Sequence, residues 1–453
     1  MHITRLVALG LGVTLATACD LDVPDLNNPG IDDLEANPTA VSVGAACTGL
    51  LIGNRGNTAA ENGVVIQLGI LGREAYNFDQ ADPRYIGELI QGDLNRGSPF
   101  GGNFWAGSYA NLKLGSIILH AADKVAELSA ADKAAIRGFT KTIGAVDLLK
   151  VIVTHDSNGA VIDVDRDLTQ PLAPIVSKDM VYAKIVSLLE DAVTDLKAAG
   201  DAFPFLLSDG YAGFDTPATF LKFNRAIRAR VALYLKDYTG ALTALAASFL
   251  DDTTMPDFDL GVYYSYSTKT GDTTNQIINP NVYAHPSLQT DAQMNGGTID
   301  NRYSRKVAVA MKGGSAAGLR SMINFSKLYS GPSSLVPLIR NEELILIKAE
   351  ALFKTNSVAQ AVAELNLVRT QSGGLPALSG TPNETTFVNQ LLYERRYSLL
   401  FEGGHRWIDA RRLDKLQVLP LDKPDDVRNI RYPIPLPECN ARPGEAACTL
   451  GST

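Results

Sequence analysis

Two stretches of this 453-residue chain set aromatic rings beside amides and charged groups. The first runs Arg73-Glu-Ala-Tyr76-Asn77-Phe78-Asp79 and resumes at Gly101-Gly-Asn103-Phe104-Trp105. The second comprises Tyr263-Tyr264-Ser-Tyr266, Asn281-Val-Tyr283 and Asn301-Arg302-Tyr303. Rings stack on flat apolar faces while Asn, Asp and Arg pair with hydroxyls, and ligand pockets combine the two. Arg73, Tyr76, Asn77, Phe78, Asn103, Trp105, Tyr264, Tyr283, Asn301 and Tyr303 are the candidate ligand contacts. Each also reads as a packed or turn residue. Trp105, which opens a helical pattern, fits a core at least as well, and Tyr76, Phe78 and Tyr283 divide evenly.

The chain start carries a different chemistry. Met1-His-Ile-Thr-Arg5, an apolar run from Leu6 to Ala16 and Thr17-Ala18-Cys19 have the parts of a lipoprotein signal, with the apolar run too short for a membrane span. Residues 1–18 read as the signal peptide. Cys19 reads as the acylated first residue of the mature chain, each buried CH₂ of its acyl chains contributing about 0.8 kcal/mol. Cys439 and Cys448 bracket a short turn-rich loop that a disulfide could close, and Cys47 lies in a small-residue apolar run that suits a buried thiol.

Catalytic patterns are missing. Asp156, Asp163, Asp165 and Asp167 cluster near a turn without a base or nucleophile motif, and His155 reads as a turn or surface residue. There is no GxSxG, no HExxH and no phosphate-cradling glycine loop ending in Lys. No CxxC or paired His/Cys spacing supports zinc, so neither metal nor cofactor is expected. The net charge of −8 argues against nucleic acid, whose phosphates need a basic face.

These residues are set on a mainly α pattern. Helical stripes begin near Pro38 with Thr39 as N-cap, and continue over Trp105–Lys124, Ser129–Val153, Ser177–Ala199, Thr219–Leu235 and Gly240–Phe249. They return from Ile339, through Val358–Val368, to a helix over about Asn383–Glu402. Pairs of helices with short turns are the unit of tetratricopeptide-like arrays. The organisation expected is a lipid-anchored extended tether at 19–37, then helical repeats with variable loops at 38–250. An irregular loop-rich insertion carrying the ligand surface follows at 251–337, a helical repeat region at 338–415 and a Pro-rich tail with the disulfide loop at 416–453. The insertion is too long for a bare loop and reads as a small irregular domain or a binding surface.

Four stretches in order resemble the SusD/RagB family of outer-membrane nutrient-binding lipoproteins. They are Arg340-Asn-Glu-Glu-Leu-Ile-Leu-Ile-Lys-Ala-Glu-Ala351, Ala361-Val-Ala-Glu-Leu-Asn-Leu-Val-Arg369, the block from Tyr393-Glu-Arg-Arg to Arg406-Trp-Ile-Asp-Ala-Arg-Arg412, and Tyr432-Pro-Ile-Pro-Leu-Pro-Glu438. Fainter likeness extends back through Asn224–Tyr234 and the Trp105…Tyr109…Asn111 helix to the Leu21-Asp-Val-Pro tether. The charged motif residues Glu350, Arg369, Glu394, Arg395, Glu402, Arg406 and Asp409 read as structural ion pairs, since Arg–carboxylate forks fix helix packing. Trp407 among them reads as core.

The resemblance implies a non-enzymatic lipoprotein of the outer membrane, facing outward. It would bind oligosaccharides or other nutrient oligomers and pass them to a SusC-like TonB-dependent transporter. With only two tryptophans, a short ligand held mainly by hydrogen bonds fits better than a long stacked one. The rival readings are a helical-repeat scaffold or lid acting only through protein partners, and a lipoprotein glycosidase.

Overall fold

The computed structural model describes residues 30–453 apart from Leu168. The signal peptide, Cys19 and most of the tether lie outside the described residues. The tether's last part is not extended: Ile31–Ala36 forms a short helix, α1, whose Leu34 is buried. The scaffold continues with α2 (Ala40–Arg55), α3 (Val64–Leu71), α4 (Ala106–Lys124), α5 (Ala130–His155), α6 (Lys178–Ala198), α7 (Pro217–Tyr234) and α8 (Tyr238–Ala246). After the insertion come α9 (Asn341–Lys354), α10 (Val358–Leu367), α11 (Glu384–Ser398) and α12 (His405–Arg412).

Local chemistry explains most of these boundaries. Thr39 and Ser129 each accept from the backbone N–H three residues on and donate their own backbone N–H to that residue's side chain, satisfying donors the helix leaves free. Ser177 caps α6 and Asn383 caps α11 in the same sense. α7 starts earlier than its stripe suggests: Thr216 is the cap, Pro217 takes the first turn, and Thr219 is its capping partner. α8 starts and ends earlier too, capped by Asp237. α9 begins at Asn341 because Val336–Arg340 is a strand. α11 stops at Ser398, not Glu402. Beyond it the chain turns through Phe401, Gly403 and Gly404, all at positive φ, which only the glycines adopt without strain.

Consecutive helices stack, α4 on α5, α5 on α6, α6 on α7, α7 on α8, α8 on α9 and α9 on α10, in a tetratricopeptide-like array. α5 and α6 come so close that a Cβ on Gly138 would lie 2.6 Å from Leu196. One apolar core runs from Leu34 to Ile434 and takes in Val262, Tyr264, Ile277 and Val282 of the insertion. The insertion is thus built onto the scaffold and is not a separate body. A second cluster joins α9, α10 and α11 through Ile345, Leu365 and Phe387. The five described methionines, Met180, Met255, Met294, Met311 and Met322, are all exposed.

The insertion is stitched by short antiparallel ladders. β1 (Ala75–Asn77) pairs with β3 (Val282–Ala284), β2 (Gly261–Tyr264) with β6 (Val336–Arg340), and β4 (Ala308–Ala316) with β5 (Leu319–Asn324). Cys439 and Cys448 are disulfide-bonded, and Cys47 is a buried free thiol.

Candidate functional site

The motif charges form the floor on which the insertion rests. Glu402 receives Lys306 at 2.8 Å and the Arg340 fork at 2.9 and 3.0 Å, and Arg340 also reaches Glu342 at 2.6 Å. Arg302, wholly buried, pairs with Asp300 and Glu394, both at 2.6 Å. Arg369 joins Glu394 at 2.9 Å, Arg395 joins Asp409 at 2.6 Å, and Arg412 takes Glu350 in a fork at 2.7 Å. Arg406 departs from the expected ion pairing, donating to the Val418 carbonyl at 3.1 Å. Trp407 is fully buried and donates to the Asn429 carbonyl.

Burial works against charge here, but the neighbouring cations prevail. Burial raises the Glu342 carboxyl, and Arg340, Lys306 and Arg302 overcome it to hold the group at about 2. Glu402 is likewise held below the usual carboxylate range by Arg340 and Lys306 against burial. Two carboxylates both held ionised do not divide acid and base roles, as glycoside cleavage requires.

In the sequence, residues 73–79 and 281–283 belong to separate stretches, and the fold brings the two together. Tyr76 sits opposite Tyr283 in the β1–β3 ladder, and the Phe78 amide donates to the Asn281 carbonyl at 2.9 Å. The rings touch: Tyr76 and Phe78 at 5.2 Å, Phe78 and Tyr283 at 5.5 Å, Tyr76 and His285 at 4.8 Å between centroids. They do not form an open platform. The β4–β5 hairpin folds over them, and a Cβ on Gly314 would lie 2.3 Å from the Tyr283 ring and 2.6 Å from that of Phe78. Tyr76 and Phe78 are therefore buried and Tyr283 is half-buried, its hydroxyl donating to the Lys312 carbonyl at 3.1 Å.

The other nominated residues scatter. Arg73 is buried and donates to the carbonyls of Ile70, Pro420 and Val427, tying down the tail. Buried Asn77 accepts from the Asp79 amide, and half-buried Asn103 bridges Asn57 and the Asn62 carbonyl. Trp105 packs on Tyr109 and His155, yet it also lines a cleft of about 360 Å³ with Lys113, Arg166 and Arg442. His155 is no surface residue: it is fully buried, and burial lowers its imidazole to about 4. Tyr264 faces an interior cavity of about 100 Å³ beside Lys150, Tyr303 is buried, and Asn301 is exposed. Among the described residues no group of three His, Cys, Asp or Glu side chains could hold a metal.

A cleft of about 520 Å³ opens where the insertion meets the motif floor. One wall is the segment from Pro256 to Tyr263; Arg305, Lys327 and Leu335 face it; Arg340, Glu342 and Glu402 lie at the bottom. Arg305 donates to Ser372 at 3.0 Å and Lys327 to the Ser304 carbonyl at 2.8 Å, which leaves both cations without a carboxylate partner among the described residues. Asp259, whose side chain is 88% exposed, stands 3.7 Å from Arg340. The Tyr263 hydroxyl donates to the Asp259 carbonyl, fixing the ring at the wall. Donors, acceptors, a tyrosine and apolar Leu335 and Pro337 thus share one opening of ligand-pocket size. The sequence offered Tyr263 and Tyr264 together. In β2 the former turns outward and the latter inward, a parity that alternation permits but does not choose.

Residues 262–434 match the SusD family model (SusD_RagB). They are a SusD family region. The match takes in the first three motif stretches and the start of the fourth, so the likeness read from those residues holds. The SusD fold itself extends well beyond the matched region. A SusD superfamily protein from Bacteroides vulgatus ATCC 8482 superposes with a TM-score of 0.69 at 14% identity, covering 91% of this chain and 98% of that one. A SusD-like carbohydrate binding protein from Bacteroides fragilis NCTC 9343 gives 0.69 at 15% identity over 88% and 98% of the two chains. B. fragilis NanU gives 0.66 at 14% identity over 93% and 98%. At such identities the likeness shows a shared fold. No curated protein matches the sequence.

Proposed function

We propose that this SusD-fold protein is a non-enzymatic nutrient-binding lipoprotein, anchored in the outer membrane through Cys19 and facing outward. It takes oligosaccharides into the 520 Å³ cleft and hands them to a SusC-like TonB-dependent transporter. The observation that carries the reading is the cleft: Arg305 and Lys327, without a carboxylate partner among the described residues, exposed Asp259 and the fixed Tyr263 ring surround one opening on an ionic floor. Sugar hydroxyls need donors and acceptors together, and a ring supplies the stacking face. The likeness to a structure described as carbohydrate binding points the same way. No helix among the described residues is long and apolar enough to cross a membrane, which fits attachment through acyl chains.

The test titrates protein beginning at Asp20 with neutral and acidic oligosaccharides and short peptides. Saturable binding to one glycan class, weakened about tenfold by Tyr263→Ala or Arg305→Ala, is expected. Absence of binding across the panel would overturn it in favour of a scaffold acting only through protein partners. Membrane attachment is tested separately: Cys19→Ala is expected to release the protein from the membrane fraction.

A further inference from the structure

The charged side chains lining the 520 Å³ cleft balance in number but not in place. The floor is neutral within itself, since Lys306 and Arg340 meet Glu402 and Arg340 also meets Glu342. What remains is divided between facing walls, Asp257 and Asp259 on one and Arg305 and Lys327 on the other. Asp257 has no cation partner among the described residues; its side chain accepts only the Asp259 and Leu260 amides, at 3.0 and 3.1 Å. Asp259 has Arg340 at 3.7 Å, but that guanidinium is already taken by Glu402 and Glu342. Arg305 and Lys327 are held by a serine hydroxyl and a carbonyl, neither of which cancels their charge.

Both walls are fastened to the scaffold. The Asn341 and Glu342 amides donate to the Leu260 and Phe258 carbonyls at 2.8 and 3.2 Å, which lays the acidic segment on the first turn of α9. Arg305 ties the opposite wall to Ser372, in the turn after α10. The acidic wall also carries a ring. Burial holds the Tyr263 phenol above its ordinary value, and the Asp259 and Asp257 charges add to it against Arg340, so both carboxylates bear on that side chain. A ring face beside carboxylates attracts an ammonium group, and an arginine with a neighbouring lysine takes a carboxylate. An anionic chain is drawn to one wall and repelled by the other, a cationic chain likewise, and a neutral chain leaves both unanswered.

We propose that the cleft selects a zwitterionic oligomer, whose ammonium lies against Asp257, Asp259 and the Tyr263 ring and whose carboxylate lies by Arg305 and Lys327. This names the ligand class of the site proposed above and rests on the cleft being that site. Within the oligosaccharide reading, the ligand is a sugar chain that bears free amino groups and uronic carboxylates. A short peptide with free termini presents the same pair of charges, and the test separates the two sources.

The probe is a tetrasaccharide of alternating glucosamine and glucuronate, titrated calorimetrically into the chain beginning at Asp20. Its N-acetylated form is the anionic control, its carboxyl-reduced form the cationic one, and a glucose tetrasaccharide the neutral one. The zwitterion is expected to bind at least about tenfold more tightly than each control. Asp259→Lys should turn the preference toward the anionic form, and Lys327→Glu toward the cationic form. Both replaced side chains are exposed, so neither variant disturbs the core. If a control binds as tightly as the zwitterion, or if both variants keep the original order, this inference falls while the oligosaccharide reading stands. If dialanine binds with the same dependence on the two variants and no sugar does, the oligosaccharide reading falls and the zwitterion stands. Absence of binding by every probe overturns both.

Discussion

Glu74 is a carboxyl that the fold penalises. Fully buried, it is pushed up to about 8 by burial, with the Phe401 amide and the Arg396 charge offsetting only part. An unfolded glutamate titrates near 4.5, so the folded state holds a proton that the unfolded state has released between those values. Stability is therefore complete below about pH 4.5 and falls as pH rises toward 8, by on the order of 3 kcal/mol at pH 7. Glu74→Gln mimics the protonated form. Its melting temperature should match wild type at pH 4 and exceed it at pH 7.5, and equal curves at both would refute the linkage. Arg340 presents the opposite case, because Arg340→Ala leaves Glu402 and Glu342 with too little positive charge in a buried place. Denaturant titration should show a loss of about 3–5 kcal/mol. The sequence revealed that these charges belong together through their spacing and type. It could not reveal partners: Glu350 finds Arg412 and Arg369 finds Glu394, choices made by the packing of α9 on α12 and of the turn after α10 on α11.

Helices were the most legible elements, because capping and a 3.6-residue stripe are local properties. Thr39, Ser129 and Ser177 announced their helices from sequence alone, whereas α7 hid its start in a Thr-Pro-Ala-Thr box whose last member looked like the first residue of the helix, and the starts of α8 and α9 were displaced as well. Thr216→Ala should cost about 1 kcal/mol in a denaturant melt, and Thr219→Val less, because Thr216 accepts from the helix backbone. Strands were the poorest. Val336–Arg340 runs straight into α9, and its partner β2 is more than seventy residues earlier, so no local signal separates strand from helix. The aromatic candidates failed as an open surface for the same reason. The hairpin that covers Tyr76 and Phe78 begins over two hundred residues after them, and a ring's exposure depends on what folds over it.

At the scale of the molecule, a stacked helical array supplies rigidity and the insertion supplies variety. The two meet at the Arg340–Glu402–Lys306 charges, so the cleft is placed by the most constrained part of the chain. The placement of methionine carries a further consequence. The interior is filled by Leu, Ile, Val, Phe and Ala, while all five described methionines face solvent. Thioethers are the side chains that mild peroxide converts to polar sulfoxides, and a core that relies on them loses its packing when they are modified. This protein should take up one oxygen at each of Met180, Met255, Met294, Met311 and Met322, visible by mass spectrometry, while its melting temperature shifts by less than about 2 °C. A larger fall would mean that a surface thioether bears structural weight. If the expectation holds, the described thioethers are a sacrificial coat: oxidants are consumed at the periphery before they reach anything that keeps the chain folded.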